Sequence, residues 1–268
     1  MLETYLLNQF GTFVLVLSRV GGLVATAPVL GAKAVPVQAR AGLAIALTLL
    51  ITPIHSGNTN VDVTQLLTLG RYVLAETMLG LLLGLGVMIL LNGVQLTGQI
   101  ISQLGGTALT EGYDANLDDN APVYSQLLYF LTLGMFLLLD GHRLLTEALL
   151  DTYAWLPPGE ATLGDSYVAA LTMLLSQSFV LGVRAAAPAM TALLLSTLVL
   201  GLIGRTVPQI NVLVVGFNLN ALLTVGGLAA SLGAVAWAVP QHTGAAVDLL
   251  RDAVRTAAEM ARQVGAPA

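Results

Sequence analysis

The sequence predicts an all-α membrane-complex protein, and three observations carry the prediction. Charged residues make up 9% of the 268 residues and hydrophobic ones 56%, with a mean hydropathy of +0.83, far from the roughly quarter-charged composition of soluble domains. Six apolar segments occur, over residues 10–30, 37–54, 66–104, 123–139, 171–203 and 212–239, and most approach or exceed the ~20 residues with which a helix crosses hydrocarbon. The third observation is an interruption. Residues 105–122, GGTALTEGYDANLDDNAP, place four acids and no base between two apolar segments.

The net charge of −5 and the absence of a basic run exclude nucleic acid as a partner. There is no cysteine, and the three histidines, His55, His142 and His242, are scattered singly, so neither a disulfide nor a metal site is expected. The first twelve residues hold Glu3 and no base, and Pro28 follows the small residues Ala25-Thr26-Ala27. The start is therefore expected to stay on the mature chain rather than act as a cleaved signal. One domain over residues 1–268 is expected.

The first apolar segment carries Arg19 near its centre. An arginine there costs about 2.5 to 3.5 kcal/mol, and each Leu, Val or Phe returns only about 0.3 to 0.6. The ten such residues between Phe13 and Leu30 only offset it, so this helix should pack against protein. Glu76 and Arg184 repeat the point in other segments, as residues that face a bundle interior, an aqueous cavity or a partner. Structural pairing and a functional role both remain open for the three. Ala27-Pro28 and Val35-Pro36 make 29–35 a bend, and Pro188 is expected to kink or split its segment. Gly80-xxx-Gly84 and Gly182-xxx-Ala186 permit close helix approach.

The third segment carries a polar face. Asn92, Gln95, Gln99 and Gln103 fall at i, i+3, i+7 and i+11, on one side of a helix. Such amides join neighbouring helices or line a wet passage. The segment runs into the acidic loop, which opens on Gly105-Gly106, carries Glu111, Asp114, Asp118 and Asp119, and closes on Pro122. It is long for a loop without secondary structure, and such loops are usually functional. It is expected to be either a solvated connection or a closure element over a pore. Its acids lack the spaced ligands and terminal Glu of a calcium loop.

After Asp140-Gly141 a second type of helix is expected. Arg143, Glu147 and Asp151 lie on one face and Leu144, Leu145, Ala148, Leu149 and Trp155 largely on the other, until Pro157-Pro158 stops it. The tail, 244–263, is also amphipathic. Ala246, Leu249, Leu250, Ala253, Ala257 and Met260 oppose Asp248, Arg251, Asp252, Arg255, Glu259 and Arg262, and Arg255 can pair with Glu259 at i+4. With six simple spans, Arg143, Arg251, Arg255 and Arg262 would face Lys33, Arg40 and Arg205 across the membrane, too even a balance to set orientation. No nucleophile elbow, phosphate loop, dinucleotide fingerprint or His-Glu metal cluster is present, so no enzyme activity and no cofactor are expected.

Arg19 to Pro36, RVGGLVATAPVLGAKAVP, the DGHRLL run at Asp140, Leu156-Pro157-Pro158-Gly159, and FVLGVRAAAPAM followed by GLIGRTVPQINVLVVGF resemble, in order and spacing, the FliR family of flagellar biosynthesis proteins and its type III secretion counterparts. Asn218 and Asn220 stand where that pattern has Pro and Lys, and Ala115 follows Asp114 where Pro is common. The resemblance implies a subunit of the flagellar export gate in the bacterial inner membrane, at the flagellar basal body. It implies assembly with the FliP and FliQ proteins and contact with FlhB, with unfolded export substrates passing through. It also implies kinked, tilted helical hairpins built into a helical assembly, and a plug role for 105–122. The competing reading is a stand-alone secondary transporter or small channel with Arg19, Glu76 and Arg184 as substrate or proton sites.

Overall fold

A computed structural model describes residues 2–31, 35–55, 66–106, 122–161, 164–207, 209 and 211–265. Among these the regular elements are all helices: α1 Leu2–Thr26, α2 Val37–His55, α3 Leu66–Gly105, α4 Val123–Leu138, α5 Gly141–Trp155, α6 Asp165–Thr206 and α7 Val212–Gly265. Five are long and apolar enough to cross a membrane, and the α4–α5 pair, bent by 64°, would make a sixth as a broken span. The breakers act where the sequence places them at the first bend and at the α4–α5 break. α1 stops two residues before Pro28, and Val29 takes a left-handed φ of 73°, a conformation that a β-branched side chain resists. Asp140 turns the chain between α4 and α5 with φ 55°.

Three prolines behave otherwise, Pro53 lying inside the last turn of α2. α6 runs through Pro188 and α7 through Pro240 without a break, so the expected split at Pro188 does not occur. Each proline removes one backbone donor, leaving the carbonyl four residues back without its helical partner. Around Pro188 the residues Ala185, Ala186, Ala189 and Leu193 are buried, so packing on both sides of the proline supports the continuous helix. The amphipathic tail is likewise the last part of α7 rather than a separate helix.

The chain divides into two units. Unit 1 comprises Met1–Ile89, Asp140–Leu174 and Thr243–Ala268. Its core gathers Leu15, Val20, Leu79, Leu83, Leu149 and Leu250. α1 and α3 approach each other closely because glycines face each other. A Cβ on Gly80 would overlap the carbonyl oxygen of Arg19, and one on Gly22 would lie 2.5 Å from that of Thr77, so this approach requires glycine. The tail of α7 buries Ala246, Leu250, Ala253 and Ala257 and exposes Asp252, Arg255 and Glu259. It is tied down by Arg251 to Asp151 at 3.1 Å and by Ser166 to the Ala253 carbonyl at 3.1 Å. Arg255 pairs with Glu259 at 3.0 Å. α2, by contrast, buries only Ala44, Thr48, Ile51 and Thr52, leaving Leu50 and Ile54 exposed.

Unit 2 comprises Leu90–Leu139 and Leu175–His242. Here Gly93 faces the Ser178 carbonyl and Gly182 the Gly93 carbonyl, while the Thr97 hydroxyl donates to the Gly182 carbonyl at 3.0 Å. Gly98 lies against Ser125, whose hydroxyl donates to the Gln95 carbonyl at 3.0 Å. α6 and α7 form an antiparallel hairpin in which Ser196 donates to the Asn220 side-chain oxygen at 2.8 Å and Ala189 packs on Gly227.

Candidate functional site

The most densely bonded polar cluster lies in unit 1, around Arg19. Its guanidinium is fully buried, a position tolerable only when its donors find acceptors. Three segments supply them. Nε meets Glu76 Oε2 of α3 at 2.5 Å, Nη1 donates to the Thr152 hydroxyl of α5 at 3.0 Å, and Nη2 donates to the Leu156 carbonyl at 3.0 Å. The Tyr153 ring stacks beneath the cation, 4.2 Å from Cζ to the ring centroid, a cation–π contact strengthened by desolvation. The second Glu76 oxygen accepts the Gly159 backbone N–H at 2.8 Å. Gly159, with φ 92°, can present that N–H because glycine adopts the left-handed turn freely. His55, at the end of α2, lies 5.3 Å from the Tyr153 ring.

One arginine thus joins α1, α3, α5 and the Leu156–Gly159 turn. The arrangement is a closed lock: the carboxylate holds two donors, the cation is walled by an aromatic ring, and neither side chain is exposed. It suits holding helices in register. Structural pairing is what the geometry gives Arg19 and Glu76. Arg184 belongs to unit 2, on α6, and is exposed there.

The amide face of α3 also belongs to unit 2. Asn92 and Gln103 are exposed and Gln95 and Gln99 half-buried, whereas Leu90, Leu91 and Val94 around them are buried. The chain therefore packs the apolar side of this stretch on itself and leaves the amide side less covered. The helix ends where the sequence places its end: Gly105 packs on the Thr224 side chain, and Gly106 leaves with φ 75°. Pro122 caps α4, accepting from the Gln126 N–H at 3.0 Å. Glu111, Asp114, Asp118 and Asp119 lie outside the described residues. Among those described, no three His, Asp or Glu side chains converge as a metal site would require.

The comparisons with known proteins bear on the same stretches. Residues 10–246 match the model of the bacterial export proteins, family 1, a range that includes the Arg19 helix, the Leu156–Gly159 turn and the α6–α7 hairpin. The chain belongs to this family. It is 35% identical to the flagellar biosynthetic protein FliR of Escherichia coli over 210 residues, 78% of this chain and 79% of that one. It is 28% identical to the FliR of Caulobacter vibrioides over 222 residues, 83% and 88% of the two chains, and 27% identical to that of Bacillus subtilis over 221 residues, 80% and 83%. This FliR-family chain thus matches its relatives across most of both lengths.

Four contributors to the lock escape a reading of the sequence: Thr152, Tyr153, the Leu156 carbonyl and the Gly159 N–H. Thr152 did leave a trace, since it continues the buried stripe of Leu145, Ala148 and Leu149 on α5, where a hydroxyl requires a polar neighbour. The backbone groups left none.

Proposed function

We propose that this chain is a subunit of the flagellar type III protein export gate and forms part of the passage through which unfolded flagellar proteins are secreted. On this reading it assembles with FliP and FliQ, contacts FlhB, and works in the bacterial inner membrane at the flagellar basal body. The FliR relatives support the flagellar export role. The observation that supports a share in the passage is the amide face of α3, which this chain's own helices cover only in part, leaving Asn92 and Gln103 exposed and Gln95 and Gln99 half-buried, and which leads directly into the Gly105-Gly106 departure. Neutral amides in a row hydrate a passage without binding a passing chain tightly. The closed Arg19–Glu76 lock, with both glutamate oxygens engaged, weighs against the stand-alone transporter, which needs those groups free for substrate or protons.

Residues 105–122 then act as the plug. A passage wide enough for polypeptide must be blocked at rest, and a segment with four acids cannot remain in hydrocarbon. Crowded acids repel one another, so bulk closes the passage and charge sets how firmly the plug is held. Deleting residues 107–119, with a short Gly-Ser bridge, is expected to leave assembly intact and to raise the resting ion conductance of the assembled complex in a bilayer. Replacing the four acids by Asn and Gln should raise it less. An assembled deletion complex with unchanged leak would reduce the segment to a connector.

A further inference from the structure

The inference concerns Arg184; it rests on the assembly reading above and names the chemistry of one partner. Within unit 2, α6 has two unlike sides. One is packed on the chain itself, through Gly182 on the Gly93 carbonyl, Ala189 on Gly227 and Ser196 on Asn220. On the opposite side Val180, Arg184, Pro188, Thr191, Leu195 and Leu198 are exposed. At ~3.6 residues per turn these six fall within about 80° of one another, on a ridge about 27 Å long.

The ridge has one unmatched polar level. The Thr191 hydroxyl is spent on its own helix, shared between the Ala187 and Pro188 carbonyls, both at 3.0 Å. Arg184 has no such outlet. Among the described residues its guanidinium makes no hydrogen bond or ion pair, and the described residues of unit 2 contain no Asp or Glu. Pro188 adds an acceptor at the same place, because the carbonyl it leaves without a helical donor, four residues back, is that of Arg184 itself. Unmatched donors and an unmatched acceptor thus stand between the apolar Val180 and Leu195, 44% and 63% exposed.

We propose that this ridge seats an apolar helix of another subunit of the assembly, and that the helix carries a carboxylate that pairs with Arg184. Covering the apolar residues removes the water around Arg184 as well, and a buried cation is tolerated only where a counter-charge meets it. A polar loop would leave Val180, Leu195 and Leu198 bare, so the counter-charge comes on an apolar helix. The guanidinium offers its parallel N–H donors to the two carboxylate oxygens, and a hydroxyl or amide on the same partner helix suits the Arg184 carbonyl. The pair also sets the height of the partner along α6, since a slip of one turn, about 5.4 Å, would part the charges and leave both buried.

The test uses the assembled complex in native membranes, exploiting the absence of cysteine. A benzophenone attached at Val180→Cys, one turn from an intact Arg184, is expected to capture a membrane subunit, at a point in an apolar helix within about two turns of an Asp or Glu. Capture of lipid, of residues 105–122 of the same chain, or of a helix without an acid would each overturn the proposal. In the second arm, Arg184→Glu should lower the amount of assembled complex at least about tenfold, and Arg184→Lys should keep most of it. Changing the mapped acid to Arg should restore assembly to the Arg184→Glu chain, which separates a lost pair from a chain that fails to fold. Wild-type assembly with Arg184→Glu, or no rescue by the reversed partner, would overturn the pairing. Failure of the assembly reading shows separately, as a wild-type chain that purifies without other membrane subunits.

Discussion

Cutting the Arg19 lock at either end should cost nearly as much as removing it altogether, and the structure supplies the reasons. Glu76→Ala leaves a fully buried guanidinium without its counter-charge and the Gly159 N–H without its acceptor. Breaking a buried pair from one side costs about 3 to 5 kcal/mol, a large share of a typical folding stability of about 5 to 15 kcal/mol. At roughly 2 to 4 °C per kcal/mol for a chain of this size, the unfolding midpoint of the detergent-solubilised assembly should fall by roughly 6 to 20 °C. Arg19→Met should cost a comparable amount, because Glu76, still bonded to Gly159, becomes a buried charge without a cation. The double substitution Arg19→Met with Glu76→Ala removes both charges and should be less destabilising than the sum of the singles by at least about 2 kcal/mol, within the range measured for coupled neighbours. The assay is a thermal unfolding cycle on the wild type, both singles and the double. Additive singles, or a Glu76→Ala loss below about 1 kcal/mol, the level of an exposed pair, would refute the lock.

Gly80→Ala should destabilise the assembly far more than Gly134→Ala, because an added Cβ strikes the Arg19 carbonyl in the first case and meets nothing within 4 Å in the second; midpoints that shift equally would contradict the α1–α3 contact. The chain made without partner subunits should be degraded within minutes to hours in a pulse-chase, since α2 leaves Leu50 and Ile54 bare and most of unit 2 exposes apolar faces that partners would cover. A monodisperse, long-lived monomer in detergent would count against assembly as its normal state.

Helix identities follow from hydropathy, and the ends of α1, α3 and α5 follow from Pro28, Gly105-Gly106 and Pro157-Pro158, because those breakers stand where packing does not oppose them. Pro188 and Pro240 fail as breakers for the opposite reason: one lost hydrogen bond among some forty is outweighed when the flanking residues are held on both sides. Arg19 and Glu76 each announce that they avoid lipid, yet they lie 57 residues apart, and a partner at that distance is a tertiary fact with no local pattern. The Leu156 carbonyl and Gly159 N–H carry no side-chain signature at all. The amide face of α3 is legible as a face, since a period of 3.6 is enough to align Asn92, Gln95, Gln99 and Gln103. That the chain leaves it partly open is visible only once Leu90, Leu91 and Val94 are seen turned inward.

The measurement that reaches the central claim most directly is capture of an export substrate in transit. With a substrate stalled by a folded C-terminal fusion, single cysteines at Gln95, Gln99 and Gln103 carrying a short photo-crosslinker should attach to it, and a cysteine at the exposed, apolar Leu198 should not. Attachment confined to the amide positions is the result expected if α3 lines the passage. Equal attachment at Leu198, or attachment there alone, would contradict the account and return the amides to joining helices of neighbouring subunits.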